Sequence, residues 1–219
     1  MTRPAIHTVP IVIASLAAGA NASVGTVDQV FDAGAAGGGP SGNDGQSAIQ
    51  TFTVGIGGTL SLIELQVRQA SPPDTPGAGL TIQILGTDGA GVPDLGTVLG
   101  TADIPLADVP MASSSNPDFV DVDVLGLGIA VSPGDVLGIH VLYPTGAGGH
   151  SWIADLAGDP YGGGELFSSS PGPGVLVLGG DAGFRTSVLI PSPGGVGVLT
   201  AAGLAAMRRR RCPCGSACS

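Results

Sequence analysis

The sequence predicts an all-β protein folded as a β-sandwich, and three observations carry that reading. Short apolar runs rich in β-branched residues recur through the middle of the chain. Clusters of Gly, Pro, Asp and Ser separate them, in a chain of 219 residues with 39 Gly and 18 Pro. No stretch between the ends shows an amphipathic helical period. So much Gly and Pro without a triplet repeat usually accompanies disorder. Here 43% of residues are hydrophobic and the mean hydropathy is +0.42, which disorder does not favour. A core is within reach, provided that it is built from short elements joined by many turns.

The elements follow in order along the chain. Strands are expected over Gln46–Val54 and Leu60–Arg68, both rich in β-branched and aliphatic residues. Leu80, Ile82 and Ile84 alternate with Thr81 and Gln83, the period of two expected of a half-buried strand. Thr97–Ile104 is the next candidate. Val120, Val122 and Val124 then alternate with Phe119, Asp121 and Asp123. Leu137, Ile139, Val141 and Tyr143 alternate with Gly138, His140 and Leu142, which places His140 on an exposed face. Ser151–Asp155, Glu165–Ser168, Val175–Leu178 and Phe184–Leu189 complete the series. Turns fall at Asp88-Gly89, Pro133-Gly134-Asp135 and 160–164, where Gly and Pro supply the required backbone angles. Many short strands at this spacing read as a sandwich or barrel, and residues 23–190 suit one domain. Phe52, Phe119, Phe167 and Phe184 are expected in its core.

Charge excludes one class of partner. The chain has no lysine, and between residues 23 and 207 its 17 acidic residues face only Arg68 and Arg185, a net charge of −15. That field repels phosphate backbones, so no nucleic-acid partner is expected.

Both ends carry address-like segments. Arg3 precedes an apolar run from Val9 to Ala20, and Ala20-Asn21-Ala22 gives a small-x-small cleavage pattern. Residues 1–22 therefore read as a signal peptide, with the mature chain starting near Ser23 and the protein exported. At the other end Pro191-Ser192-Pro193 stops the last strand, since Pro cannot donate to a ladder. Gly194 to Met207 carries no charge, and Arg208, Arg209, Arg210 and Arg211 follow. As a helix the run would span about 21 Å, short of a hydrocarbon core of roughly 30 Å. It is expected to be one short membrane helix that spans by thinning the bilayer, with the arginines held on the cytoplasmic side.

This order of prolines, apolar run and arginine cluster over residues 191–211 resembles the PEP-CTERM sorting signal of Gram-negative bacteria. Pro191-Ser192-Pro193 stands where that family has Pro-Glu-Pro. The resemblance implies an exosortase-type sorting enzyme as partner and tethering to the inner membrane in transit. It further implies a final location in the cell envelope or outside the cell. Residues 212–219 form a tail holding Cys212, Cys214 and Cys218. Structural zinc normally takes four ligands and redox pairs use C-x-x-C, so the tail fits neither pattern.

The body brings a second resemblance. Ala48-Ile49-Gln50-Thr51-Phe52-Thr53-Val54 and Gly58-Thr59-Leu60 open it. Gly91-Val92-Pro93, Val131-Ser132-Pro133-Gly134-Asp135, Trp152, Asp159-Pro160-Tyr161-Gly162-Gly163-Gly164 and Asp181-Ala182-Gly183-Phe184-Arg185-Thr186 follow. In this order they resemble exported domains of the choice-of-anchor type from bacterial surface proteins. The resemblance implies a jelly-roll-like sandwich over roughly Gln46 to Ile190, without implying an activity.

Candidate chemistry is sparse. Only His140 and His150 lie beyond the signal peptide, and neither a G-x-S-x-G elbow nor an H-E-x-x-H helix is present. No enzyme activity is expected. Asp44, Asp121, Asp123 and Asp159 are hard oxygen donors suited to one structural Ca²⁺. The competing reading is that they keep a charge-poor surface soluble. Trp152 and Tyr161, with His150 beside the Gly-rich loop, are the candidates for binding an extracellular polysaccharide; the competing reading makes the aromatics core anchors. The functional expectation is a non-catalytic protein of the cell envelope or extracellular matrix, with a carbohydrate-binding module as the alternative.

Overall fold

A computed structural model describes residues 25–34, 39–42, 47–69, 79–111, 118–144, 149–169 and 174–191. Residues 1–22, expected to be a signal peptide, lie outside the described residues, as do Asp44, residues 192–211 and the cysteine tail. The described chain is all-β, its named strands pair antiparallel, and one isolated bridge, Gln69 to Met111, is parallel. Its strands are β1 (Thr26–Phe31), β2 (Ser41–Gly42), β3 (Ser47–Thr53), β4 (Gly58–Leu65), β5 (Val67–Gln69), β6 (Leu80–Thr87), β7 (Pro93–Ile104) and β8 (Val120–Asp123). There follow β9 (Ala130–Val131), β10 (Val136–Leu142), β11 (His150–Trp152), β12 (Ala154–Asp155), β13 (Leu166–Ser169), β14 (Leu176–Val177), β15 (Asp181–Ala182) and β16 (Phe184–Leu189). Single 3-10 turns at Leu106–Asp108 and Leu125–Leu127 are the helical elements among the described residues.

Two large sheets enclose a shared core. The first has the order β1-β16-β4-β8, with β9 pairing the start of β4. The second runs β14-β13-β3-β10-β6-β7. Smaller sheets, β2-β11-β5 and β12-β15, fill one end. Register explains the alternation in the sequence. Ile139 of β10 lies between Gln50 and Ile84, and Val141 lies between Ala48 and Ile82. These inward positions meet Leu60, Ile63 and Leu65 of β4 and Phe184 and Val188 of β16 in one buried cluster. Phe52 and Phe184 cross from opposite sheets with ring centroids 5.9 Å apart. Burial of each such side chain is worth roughly 1.5–3 kcal/mol, which is how a turn-rich chain holds together.

The second sheet buries apolar side chains on its outer face as well. Ile49, Leu85 and Phe167 form a separate buried cluster there, with Val175 packed against it. β3 is accordingly buried on both sides, with Ala48 and Phe52 in the main core and Ile49 in this second cluster. Two expectations need correction. His140 is buried rather than exposed, its ring bonded to Ser47 and Gln83 on the two flanking strands. Phe119 is a half-buried surface residue rather than a core one, its ring stacked under the guanidinium of Arg185 at 3.7 Å. The same guanidinium makes a 3.5 Å ion pair with Glu64.

Edges and breaks have local causes. The expected strand over Leu60–Arg68 is interrupted at Gln66, whose side chain turns aside. Its Oε1 accepts the amide of Ala33 at 3.0 Å, and its Nε2 donates to Asp32 Oδ1 at 2.8 Å. Strand β1 carries a bulge between Val27 and Gln29 where it pairs with β16. Strand β7 pairs with β6 through two register shifts. Both are outermost strands among the described residues.

Candidate functional site

The aromatic candidates do not form an exposed platform. Trp152 is wholly buried at the end of β11, and its indole Nε1 donates to the carbonyl of Gly183 at 2.9 Å. No face of the ring is open to a sugar, which corrects the expectation of a glycan contact at this residue. Its amphipathic ring serves as an anchor with one satisfied polar atom. His150, two residues earlier, is also buried.

Tyr161 is half-buried. Its ring stands edge-on to Phe184, with centroids 5.1 Å apart, and lies 6.3 Å from Phe31. The hydroxyl donates to Gln29 Oε1 at 2.8 Å, and burial pushes the phenol up to about 12. The glycines that follow explain how it is held. A Cβ on Gly163 would strike the tyrosine ring, and one on Gly164 would run into the carbonyl of Thr51. The Gly-rich run is therefore a close-packing device that lets the 159–165 loop lie flat against β3.

Beside this loop lies a groove of about 360 Å³ on the outer face of the second sheet. Thr51, Thr53, Asp159, Gly163, Glu165 and Val177 line it. Its hydroxyls are already engaged. Thr53 Oγ1 donates to Gly163 O at 2.8 Å, and Thr51 Oγ1 accepts the amide of Glu165 at 2.8 Å.

The calcium candidates lie apart. Asp121 and Asp123 are exposed on β8, at the edge of the first sheet. Asp159 caps its own turn, Oδ1 accepting the amide of Gly162 at 2.8 Å. Among the described residues no group of three or more His, Cys, Asp or Glu is arranged to hold a metal ion.

Two polar arrangements escaped the sequence reading. Asp181 is wholly buried, accepting from Gln50 Nε2 at 2.8 Å and from the amide of Tyr161 at 3.0 Å. Desolvation raises its pKa above the ordinary carboxylate value, against the lowering effect of these bonds. His140 bridges three adjacent strands, with Nε2 2.8 Å from Ser47 Oγ and Nδ1 3.2 Å from Gln83 Oε1. Burial holds the imidazole down at about 4, so the ring is neutral at pH 7. The one available sequence signal was parity. Gln50 sits at an inward position between Ala48 and Phe52, where a polar residue requires a buried partner.

No family model and no curated protein matches this chain. Among the described residues no helix is long and apolar enough to cross a membrane.

Proposed function

We propose that the chain is a non-catalytic protein exported to the cell envelope or extracellular matrix. In this reading its body is a jelly-roll-like sandwich, and a PEP-CTERM-like segment recognised by an exosortase-type enzyme sorts it. The observation that carries the reading is where the body stops. Strand β16 ends at Leu189, and Pro191 follows after Ile190 alone, so the sorting-type segment begins one residue beyond the last strand. The apolar run Gly194–Met207 and Arg208–Arg211 then supply a tether with a cytoplasmic stop.

Support comes from the interior as well. The buried polar side chains His140, Gln50 and Asp181 are spent on bonds between strands. Burial of Trp152 removes the strongest candidate for stacking on a sugar, which favours the structural reading over the carbohydrate-binding one. The test is membrane fractionation of the full chain with Arg208–Arg211 replaced by Ser. Release or mislocalisation is expected, whereas Cys212→Ser should leave placement unchanged. Normal retention without the arginines would overturn the tether.

A further inference from the structure

The described chain begins and ends at the same end of the body. The start of β1 pairs with the end of β16, Thr26 opposite Val188, and Leu189 lies opposite Thr59 at the start of β4. Three connections share this end: residues 54–57, the 132–135 turn and the hairpin turn at 88–92. Val54 N donates to Asp135 O at 2.8 Å, Gly55 N to Asp28 Oδ1 at 3.0 Å, and Thr87 Oγ1, beside the 88–92 turn, to Val136 O at 2.8 Å. The small sheets and the Leu106–Asp108 turn occupy the other end. Strand β4 has eight residues, so the two ends are about 25 Å apart at ~3.3 Å per residue.

Residue 191 is followed by only two residues before Gly194. A fully extended chain covers at most about 3.5 Å per residue, so the apolar segment starts within about 10 Å of the body. We infer that the end formed by the 54–57, 88–92 and 132–135 connections lies against the bilayer surface, and that the end carrying the Leu106–Asp108 turn points away. This inference rests on the proposal that residues 194–207 sit in a membrane. The chemistry of the facing end agrees with it. Val92, Leu95 and Ile190 are exposed there, apolar side chains suited to the headgroup region. Asp28, Asp88, Asp94 and Asp135 surround them, and the basic residues of the body, Arg68 and Arg185, lie on β5 and β16 toward the other end. Such a face complements amine-bearing zwitterionic headgroups and is repelled by anionic ones.

The experiment uses residues 23–219, the chain without the expected signal peptide, with Cys212, Cys214 and Cys218 replaced by Ser. It is reconstituted into vesicles of phosphatidylethanolamine and phosphatidylcholine that carry a headgroup nitroxide quencher. A fluorophore is placed through Ser132→Cys or, in a separate protein, through Ala107→Cys; both positions are exposed. Flotation first establishes whether the chain is vesicle-bound. In bound protein, quenching is expected to be several-fold stronger for Ser132→Cys than for Ala107→Cys. It should weaken when phosphatidylglycerol replaces phosphatidylethanolamine. Equal quenching, or stronger quenching for Ala107→Cys, overturns the orientation while leaving the tether intact. Quenching unchanged by phosphatidylglycerol overturns the headgroup preference. Failure to float overturns the tether itself, and the orientation with it.

Discussion

Gln50 grips Asp181 and its neighbour with both ends of one amide. Nε2 donates to the Asp181 carboxylate at 2.8 Å, while Oε1 accepts the amide of Ala182 at 2.8 Å. A residue of β3 in one sheet thereby fixes the segment that leads into β16 of the other. Gln50→Leu keeps the side chain's size but strands a buried carboxylate oxygen and a buried amide. Loss of about 3 kcal/mol or more is expected, since each unsatisfied buried group costs roughly 1–3 kcal/mol. Urea denaturation of residues 23–190 measures it, and a change under 1 kcal/mol, on the same scale, would show that the grip contributes little.

His140 sets an acid limit on stability. Its folded pKa of about 4 lies below the ordinary 6.5, so the folded protein resists a proton that the unfolded chain accepts. Stability from this group is whole above pH 6.5 and is lost as pH falls from there toward 4. The full loss is on the order of 3 kcal/mol at 1.36 kcal/mol per pH unit. His140→Gln should flatten the urea midpoint between pH 7 and 4.5 relative to the parent chain. Parallel curves for the two proteins would contradict the assignment.

Asp181 acts in the opposite sense. Its pKa is raised, so the folded state takes up a proton before the unfolded one does, and the group favours folding as pH falls through that raised value. Asp181→Asn should remove this compensation and steepen the acid-side decline caused by His140. Chemical-shift titration of the Asp181 carboxyl carbon reads the protonation directly, and a midpoint below 3.8 would reverse the predicted sign.

Trp152 is the single tryptophan of the chain, so fluorescence reports on it alone. Its complete burial predicts blue-shifted emission and negligible quenching by iodide in the folded protein. Strong quenching would place the indole at the surface and revive a sugar-stacking role. Trp152→Ala should cost about 3–5 kcal/mol, as truncations of large buried aromatics do.

Gly164→Ala should lower stability by about 2 kcal/mol, the scale of a forced backbone shift in a packed site. The added methyl would meet the carbonyl of Thr51 rather than a side chain able to swing away. Thermal unfolding compared with Gly158→Ala, where the Cβ meets nothing within 4 Å, separates crowding from the backbone preference at that second glycine, whose φ is +104°.

Alternation made half of the fold legible. Leu80–Ile84, Val120–Val124 and Leu137–Tyr143 show the period of two because each has one face in the main core, and Phe184–Leu189 matches β16 at both ends. Strand β1 escapes a parity reading because of its bulge at Asp28: Asp28, Gln29 and Phe31 are the half-buried positions, while Val27 and Val30 are exposed. His140 was misplaced for a different reason. Its polar partners, Ser47 and Gln83, lie on the two flanking strands, dozens of residues away in sequence, and nothing within β10 encodes that pairing. The glycan candidates were chosen by residue type and neighbouring glycines. Type alone does not distinguish a ring on a rim from a ring beneath one, and the glycines proved to be packing positions.

The bulges at the sheet edges govern how copies of this protein behave when crowded. Many proteins guard an exposed strand with lysine, and this chain has none. The displaced ladder at Val27–Gln29 and the two offsets along β7 take that place, because a kinked row of amides and carbonyls offers a visiting strand no continuous template. Straightening β7, for instance by deleting the residue that bulges beside Leu85, would turn a guarded margin into one open to polymerisation.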